Sequence, residues 1–333
     1  MHRVELTGGV ATGIGSLPHR DAADAAAFSL SEIELPMLPT LPRRCPAEGM
    51  IVQALVGVRG VTVGQYGSLA VDARVVDPMN YVHTDIGHDA FGGFRALLAA
   101  AQGRSGPVKW QFVGPVTLGM AMLRAGVPAH VAFETAVRAV RTHVQNLLDI
   151  VAAALPGCRQ IVFIDEPSLG ELMQPGFPIA PDTAIDLVSG ALAVIEPTAV
   201  AGLHVCADSD IASLLAAGPG ILSVPVRPAL VDSAGYLIRF LESGGWIAWG
   251  VIPTSGPVPT SVERPWRVLS ALWCQLVDNG ADPAQLRRQA IVTPECGLGL
   301  HSPAVAERIH RLTAEISTRV RDQAVATHLA LGA

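Results

Sequence analysis

His204 and Cys206 stand two residues apart at the end of an apolar run, and Cys296 follows Pro294-Glu295 much later in the chain. On an extended strand, residues i and i+2 point to the same side. One imidazole and one thiol at that spacing suit two adjacent corners of a zinc tetrahedron, with Cys296 closing a third. Three N/S ligands and an open position form the usual catalytic zinc arrangement. The plainer alternative stays open at this point: a buried cysteine is commonly an inert small hydrophobe, and a buried histidine a hydrogen-bonded core residue. Asp165-Glu166 suggests a glycosidase acid/base couple, but adjacent strand residues face opposite ways. One of the two is expected to face the site, and the other to serve a salt bridge or a helix cap. The segment Tyr81–Asp89 carries His83, Asp85, His88 and Asp89 and could suit a hydrolase metal site. It reads more simply as a polar loop leading into a helix, since no strand organises it. Cys45, Cys158 and Cys274 are assigned structural places.

These groups need elements to hold them. Runs rich in Val, Ile and aromatics predict strands at Val108–Val113, Gln160–Ile164, Ala199–His204, Ile221–Val226, Trp246–Val251 and Ala290–Thr293. An earlier strand ends in GIGSLP around Gly13–Ser16, and another is expected near Met50–Val58. Helices fall between them: Asp182 opens one that stops before Pro197, Asp208 caps one ending at Gly218, and Thr260 with Glu263 fits a capping box. Alternating strands and helices imply β-α-β units and a parallel sheet. About eight such units predict a single-domain (β/α)8 TIM barrel over residues 1–333, with an irregular, loop-rich part over residues 17–100. A doubly wound open sheet is the runner-up. In such barrels, catalytic groups sit at the C-terminal ends of the strands. Asp165, His204, Cys206, Cys296 and Ser16 all fall at such ends.

Composition narrows the classes. The chain has 333 residues, 50% hydrophobic and 16% charged, with 33 Gly and 25 Pro, against a usual ~25% charged. Its mean hydropathy is +0.40. That balance is the opposite of disorder. The longest stretch free of charged side chains, Ser243–Val262, is broken by glycines and prolines and does not read as a membrane span. The start MHRVELTGG lacks the apolar core of a signal peptide, so a cytoplasmic protein without a membrane partner is expected. A net charge of −6 argues against a nucleic-acid partner, which needs a basic surface. Of 23 Lys and Arg residues only Lys109 is a lysine, which nearly closes off Schiff-base chemistry. Five scattered cysteines suggest thiols or metal ligands in place of a disulfide frame.

Five segments, in order along nearly the whole chain, resemble the catalytic C-terminal barrel of cobalamin-independent methionine synthase, in the superfamily that includes uroporphyrinogen decarboxylase. They are GIGSLP (Gly13–Pro18), GPVTL (Gly114–Leu118), IDEPSL (Ile164–Leu169), HVC (His204–Cys206) and PECGL (Pro294–Leu298). The resemblance implies a methyltransferase acting on a thiol, homocysteine, with Zn2+ held by His204, Cys206 and Cys296. The metal would bind homocysteine as its thiolate, since a free thiol of pKa ~8.5 is mostly protonated at neutral pH. It further implies that Ile14, Gly15 and Ser16 hold the amino-acid portion of the substrate and that Asp165 contacts its amino group.

Three departures from the family pattern modify that expectation. The acidic zinc ligand expected on the strand after H-x-C is missing, because Ile221–Val226 contains no carboxylate. Water, substrate sulfur or an acid from elsewhere, such as Asp165 or Glu171, would fill its place. The expected general-acid histidine is replaced near Ser255, a poor proton donor. The aromatic that follows GPVT and stacks on folate is replaced by Met120 and Ala121. The thiol side of the reaction is therefore expected to persist and the folate side to be lost. The methyl donor is expected not to be polyglutamylated folate, which leaves a methylated corrinoid protein or another small donor open. Two alternatives remain: a repurposed, non-catalytic metabolite-binding barrel, and a decarboxylase-like lyase. The lyase would need cationic anchors for substrate carboxylates in place of zinc.

Overall fold

The computed structural model describes residues 6–63 and 68–331; the first five residues of the opening MHRVELTGG lie outside that range. Among the described residues nine strands form: β1 (Val10–Ala11), β2 (Val61–Val63), β3 (Leu69–Val71), β4 (Gly106–Val113), β5 (Cys158–Asp165), β6 (Val200–His204), β7 (Ile221–Pro225), β8 (Trp246–Ile252) and β9 (Ala290–Pro294). Seven of them make one parallel sheet in the order β1-β9-β8-β7-β6-β5-β4, and β2 and β3 form a separate antiparallel pair. Helices follow the strands and flank the sheet, as right-handed β-α-β connections require. This is an α/β fold with a curled parallel sheet, TIM-barrel-like in plan.

The expected eight-stranded closure is not present as a continuous ladder. Between the edge strands β1 and β4 runs the segment Leu35–Thr40, which makes only single parallel bridges: Thr12 with Leu35, Met37 with Lys109, and Ser16 with Thr40. Pro36 and Pro39 explain the interruption, since neither has an N–H to donate to a ladder. The strand expected near Met50–Val58 is instead a helix, Met50–Leu55. Its apolar run buries Val52, Ala54 and Leu55, and the Gln53 side chain donates to the Ala90 carbonyl at 2.7 Å. The N-terminal third is also less irregular than its prolines suggest, with helices at Ala22–Glu32 and Gly92–Ala100. GIGSLP lies after β1 and not within it. Asp210, not Asp208, caps the helix Ile211–Ala216, and the helix Glu263–Asp278 has no side-chain cap, because its N-cap position is the apolar Val262; Glu263 pairs with Arg319 at 2.5 Å. Among the described residues, no helix is long and apolar enough to cross a membrane.

Two cores lie on the two faces of the sheet. The large one packs the convex face against the helices. The small one fills the concave face with Val10, Leu35, Ile161, Phe163, Val200, Ile221, Trp246, Ala248 and Ile291. Strand alternation sorts β4 between them. Trp110 and Phe112 face outward against Phe94 and His143, so Lys109 and Gln111 face the concave side. Gly202 on β6 makes room for the Phe163 ring, for a Cβ there would lie 2.3 Å from a ring carbon. Above this apolar floor the strands carry Asp165, His204, Ser223 and Thr293, all buried polar groups. The sheet changes from apolar to polar along its length, and the polar end is where the site is built.

Candidate metal and substrate site

The parallel register aligns Asp165, His204 and Ser223 side by side on β5, β6 and β7. His204 is buried, and its Nδ1 meets the Ser223 hydroxyl at 2.9 Å. Its Nε2 is buried with no hydrogen-bond partner. Cys206 follows β6 and Cys296 follows β9, and both are half-buried free thiols. The ligand atoms of His204, Cys206 and Cys296 all lie within 4.8 Å of one another, and among the described residues no other His/Cys/Asp/Glu group of three or more converges so closely. Donor atoms of a tetrahedral zinc shell with Zn–S bonds of ~2.3 Å stand roughly 3.7 Å apart, so the spacing fits. The donor set also fits: two sulfurs and an imidazole nitrogen left unpartnered suit Zn2+. Donation from Cys296 pulls Cys206 down to about 7 against burial, and the same contact, with burial, pushes Cys296 up.

Asp165 ends β5 beside this cluster. Its Oδ2 accepts from the Gln111 amide nitrogen, while its Oδ1 is buried and unpartnered. Burial raises its carboxyl above the usual range, against the pull of His204 and Lys109. Gln111 Oε1 accepts from Gly15 N–H at 2.7 Å and from Lys109 Nζ at 2.6 Å. Gly15 is in the left-handed region (φ +36°), and a Cβ there would sit 2.5 Å from the Gln111 amide nitrogen. Only glycine fits that turn. Its N–H is donated to Gln111. Ser16 joins the first loop to the last: its Oγ accepts from Gly299 N–H at 3.1 Å, and its carbonyl accepts from Leu298 N–H at 2.8 Å. Ile14, Ser16, Gln111, Asp165, His204, Cys206 and Cys296 line one cavity of about 350 Å3.

Other candidates fall elsewhere. Glu166 turns away from Asp165 and caps the helix Pro115–Arg124, accepting from the N–H groups of Val116 (2.8 Å) and Thr117 (2.7 Å). Gly114 is required there, for a Cβ would stand 2.2 Å from the carboxylate. Burial pushes Glu166 up to about 7. Ser255 is exposed in the loop after β8 and does not line the cavity. In the Tyr81–Asp89 segment, His88 Nδ1 accepts from Ala90 N–H and Asp85 from Gly87 N–H, while the Thr84 hydroxyl meets His143 and Asn146 on a neighbouring helix. Cys274 is exposed, and Cys158 donates to the Arg104 carbonyl. Sequence reasoning missed Gln111, Lys109 and Ser223. Two polar residues, Lys109 and Gln111, alternating with aromatics in an otherwise apolar strand were the available signal. Arg227 pairs with Glu295 at 2.5 Å and fixes the Cys296 turn to the end of β7.

No protein-family profile matches the chain, and no curated protein matches it in sequence. Among solved structures, one named "Putative Vitamin-B12 Independent Methionine Synthase", from Listeria monocytogenes, is 14% identical. It superimposes over 95% of this chain and 99% of its own, with a TM-score of 0.55. A fungal β-1,4-galactanase, 12% identical, covers 60% of this chain and 79% of its own at a TM-score of 0.31. The first superposition shows a shared fold running through almost the entire length of both chains.

Proposed function

We propose that this protein is a zinc-dependent methyltransferase acting on homocysteine, built as one (β/α)8-type domain, whose methyl donor is not polyglutamylated folate. The observation that carries this reading is the convergence of His204, Cys206 and Cys296 within 4.8 Å, on the cavity that also holds the unpartnered oxygen of Asp165. The fold shared with the Listeria chain supports it. The five free cysteines suit a reducing, cytoplasmic setting.

His204, Cys206 and Cys296 would hold the zinc, which supplies a Lewis acid that lowers the pKa of a thiol. The protein's own residues do the rest. Ser223 engages Nδ1 of His204 and so presents Nε2 to the metal position. Asp165, braced through Oδ2, offers Oδ1 to the substrate ammonium. Ile14 and Ser16 shape the wall against which the amino-acid portion lies. Met120 and Ala121 give a pterin no ring to stack on, so the methyl group would come from a methylated corrinoid protein or another small donor.

Metal analysis of the untagged protein, followed by homocysteine titration, tests this reading. About one zinc per chain is expected, lost from Cys206→Ser and from Cys296→Ser with the fold retained. Unchanged zinc in both variants would remove the site. A repurposed binding barrel is the second reading, favoured by the exposure of Ser255 and the lack of a proton donor there. Zinc and homocysteine binding without methyl transfer to the thiol would select it.

A further inference from the structure

Lys109 is the only lysine of the chain and is fully buried on the concave side of β4, beneath the cavity. A buried ammonium is costly unless its hydrogens find partners. Its Nζ donates to Gln111 Oε1 at 2.6 Å and lies 4.5 Å from the centroid of the Phe163 ring. The same Gln111 oxygen also accepts the Gly15 N–H, and the amide nitrogen donates to Asp165 Oδ2. Both lone pairs of Oε1 are thus filled by donors. Turning the amide over would set its NH2 against an ammonium and an N–H, and its oxygen against a carboxylate. The Gly15 N–H and the Asp165 carboxylate already favour this orientation, and the buried cation adds a charged donor to the same oxygen and so reinforces it.

We propose that Lys109 is a positioning residue that acts through Gln111: it fixes the amide so that Asp165 is held by one oxygen and presents the other to the cavity for a ligand's ammonium group. The proposal rests on the reading of Asp165 as the ammonium anchor. It gives the cavity its preference for an amino-acid thiol over the same thiol acid without the amine. Lys109 touches neither the ligand nor the metal position; the chain Lys109–Gln111–Asp165 carries its effect.

The test compares homocysteine with 4-mercaptobutyrate, which keeps the thiol and carboxylate and lacks the amine, by calorimetry on zinc-loaded protein. Lys109→Met should weaken homocysteine binding about ten- to a hundredfold, the scale of a hydrogen bond to a charged group, with 4-mercaptobutyrate changed less than about twofold. Gln111→Leu should do the same and keeps the lysine in place, so it carries the test if Lys109→Met does not fold. The double variant should be no worse than either single one, because both act along one chain. Retained preference in the single variants, equal loss of both thiols, or additive losses in the double variant would overturn the proposal.

A readout free of ligand separates this proposal from the functional reading. With 15N-lysine incorporated, the protein carries a single ammonium resonance. It should shift in both Gln111→Leu and Asp165→Asn. If the wild-type protein does not distinguish the two thiols, the ammonium-anchor reading fails. The resonance then decides the positioning role: a signal unmoved in Gln111→Leu removes it, and one moved in both variants sustains it.

Discussion

Ser223 lies directly opposite His204 on the neighbouring parallel strand, and its hydroxyl meets the imidazole Nδ1 at 2.9 Å. The contact is set by strand register alone, with no loop to adjust it. It also occupies the strand on which an acidic metal ligand was expected, so that β7 supports the histidine in place of supplying a donor. Ser223→Ala should lower zinc affinity about 10–100-fold, the range for a lost outer-shell partner of a metal-bound histidine. Global stability should change far less than in a core deletion. Competition against a chromogenic chelator measures the first, urea denaturation of the zinc-free protein the second. Equal zinc affinity in the two proteins would show that Ser223 does not orient the ring.

Methyltetrahydrofolate should be a poor donor. Met120 is buried and Ala121 half-buried, so no aromatic platform faces the cavity from the helix after GPVT. Stacking of the aromatic type contributes roughly 0.5–1.5 kcal/mol. A missing general acid costs about 10²–10⁴ in rate, and Ser255 is exposed and outside the cavity lining. Purified zinc-loaded protein given homocysteine and methyltetrahydrofolate should form methionine at a rate close to the protein-free background. Robust turnover with that donor would contradict the proposed loss of the folate side.

Two histidines should stay neutral well below the ordinary imidazole range. Burial lowers both His143 and His310 to about 4, from an ordinary imidazole value of about 6.5. The folded state then binds fewer protons than the unfolded one between those values, so each contributes stability that is full above pH 6.5 and lost as the pH falls towards 4. The loss is of order 3 kcal/mol per group at the low end. Raised carboxyls at Glu48, Asp165 and Glu166 act in the opposite sense, since the folded state holds their protons more tightly. A residue-specific readout is therefore needed. Imidazole carbon shifts of His143 and His310, assigned by single His→Gln variants, should show the neutral form at pH 5.5. Titration of either ring near pH 6.5 in the folded protein would refute the prediction for that ring.

Gly202→Ala should destabilise the fold by about 1–3 kcal/mol, the usual cost of overpacking. The new methyl would stand 2.3 Å from a Phe163 ring carbon, and the ring has Lys109 over its face. Phe163→Leu in the same chain should recover part of the loss by vacating that space. Urea denaturation of the two single variants and the double variant gives the coupling. Additive losses would mean that the ring moves freely and the glycine is not there to accommodate it.

The strands that hold the site were legible because they are apolar on both faces and bounded by polar turns: β4 to β9 fall within a few residues of where Val, Ile and aromatic runs predict them. His204 and Cys206 were readable from spacing, and their meeting with Cys296 required only that β6 and β9 end on the same side of one parallel sheet. The N-terminal third was not legible. Met50–Leu55 has the composition of a strand and is held as a helix by tertiary packing and by the Gln53 contact to Ala90. The segment Leu35–Thr40 sits between two strands, yet its prolines erase the pattern that would reveal it. Gln111 was passed over because its role comes from three partners far apart in sequence, Gly15, Lys109 and Asp165, which no local pattern brings together.

The burial of the sole lysine has a consequence for the whole molecular surface. Every exposed positive side chain with a permanent charge is a guanidinium, and no ε-amino group of the folded chain meets solvent. Acylating reagents, reductive methylation and enzymes that tag lysines therefore find no ε-amine while the sheet is intact. Acylation of Lys109 requires the strand that carries it to open, so its rate under mild reagent reports the free energy of that opening at one known position. A ligand that binds only the closed form slows this reaction in proportion to its occupancy. The fold thus contains a side-chain reporter of its own breathing, readable by mass spectrometry as one added acyl group on the peptide that carries Lys109.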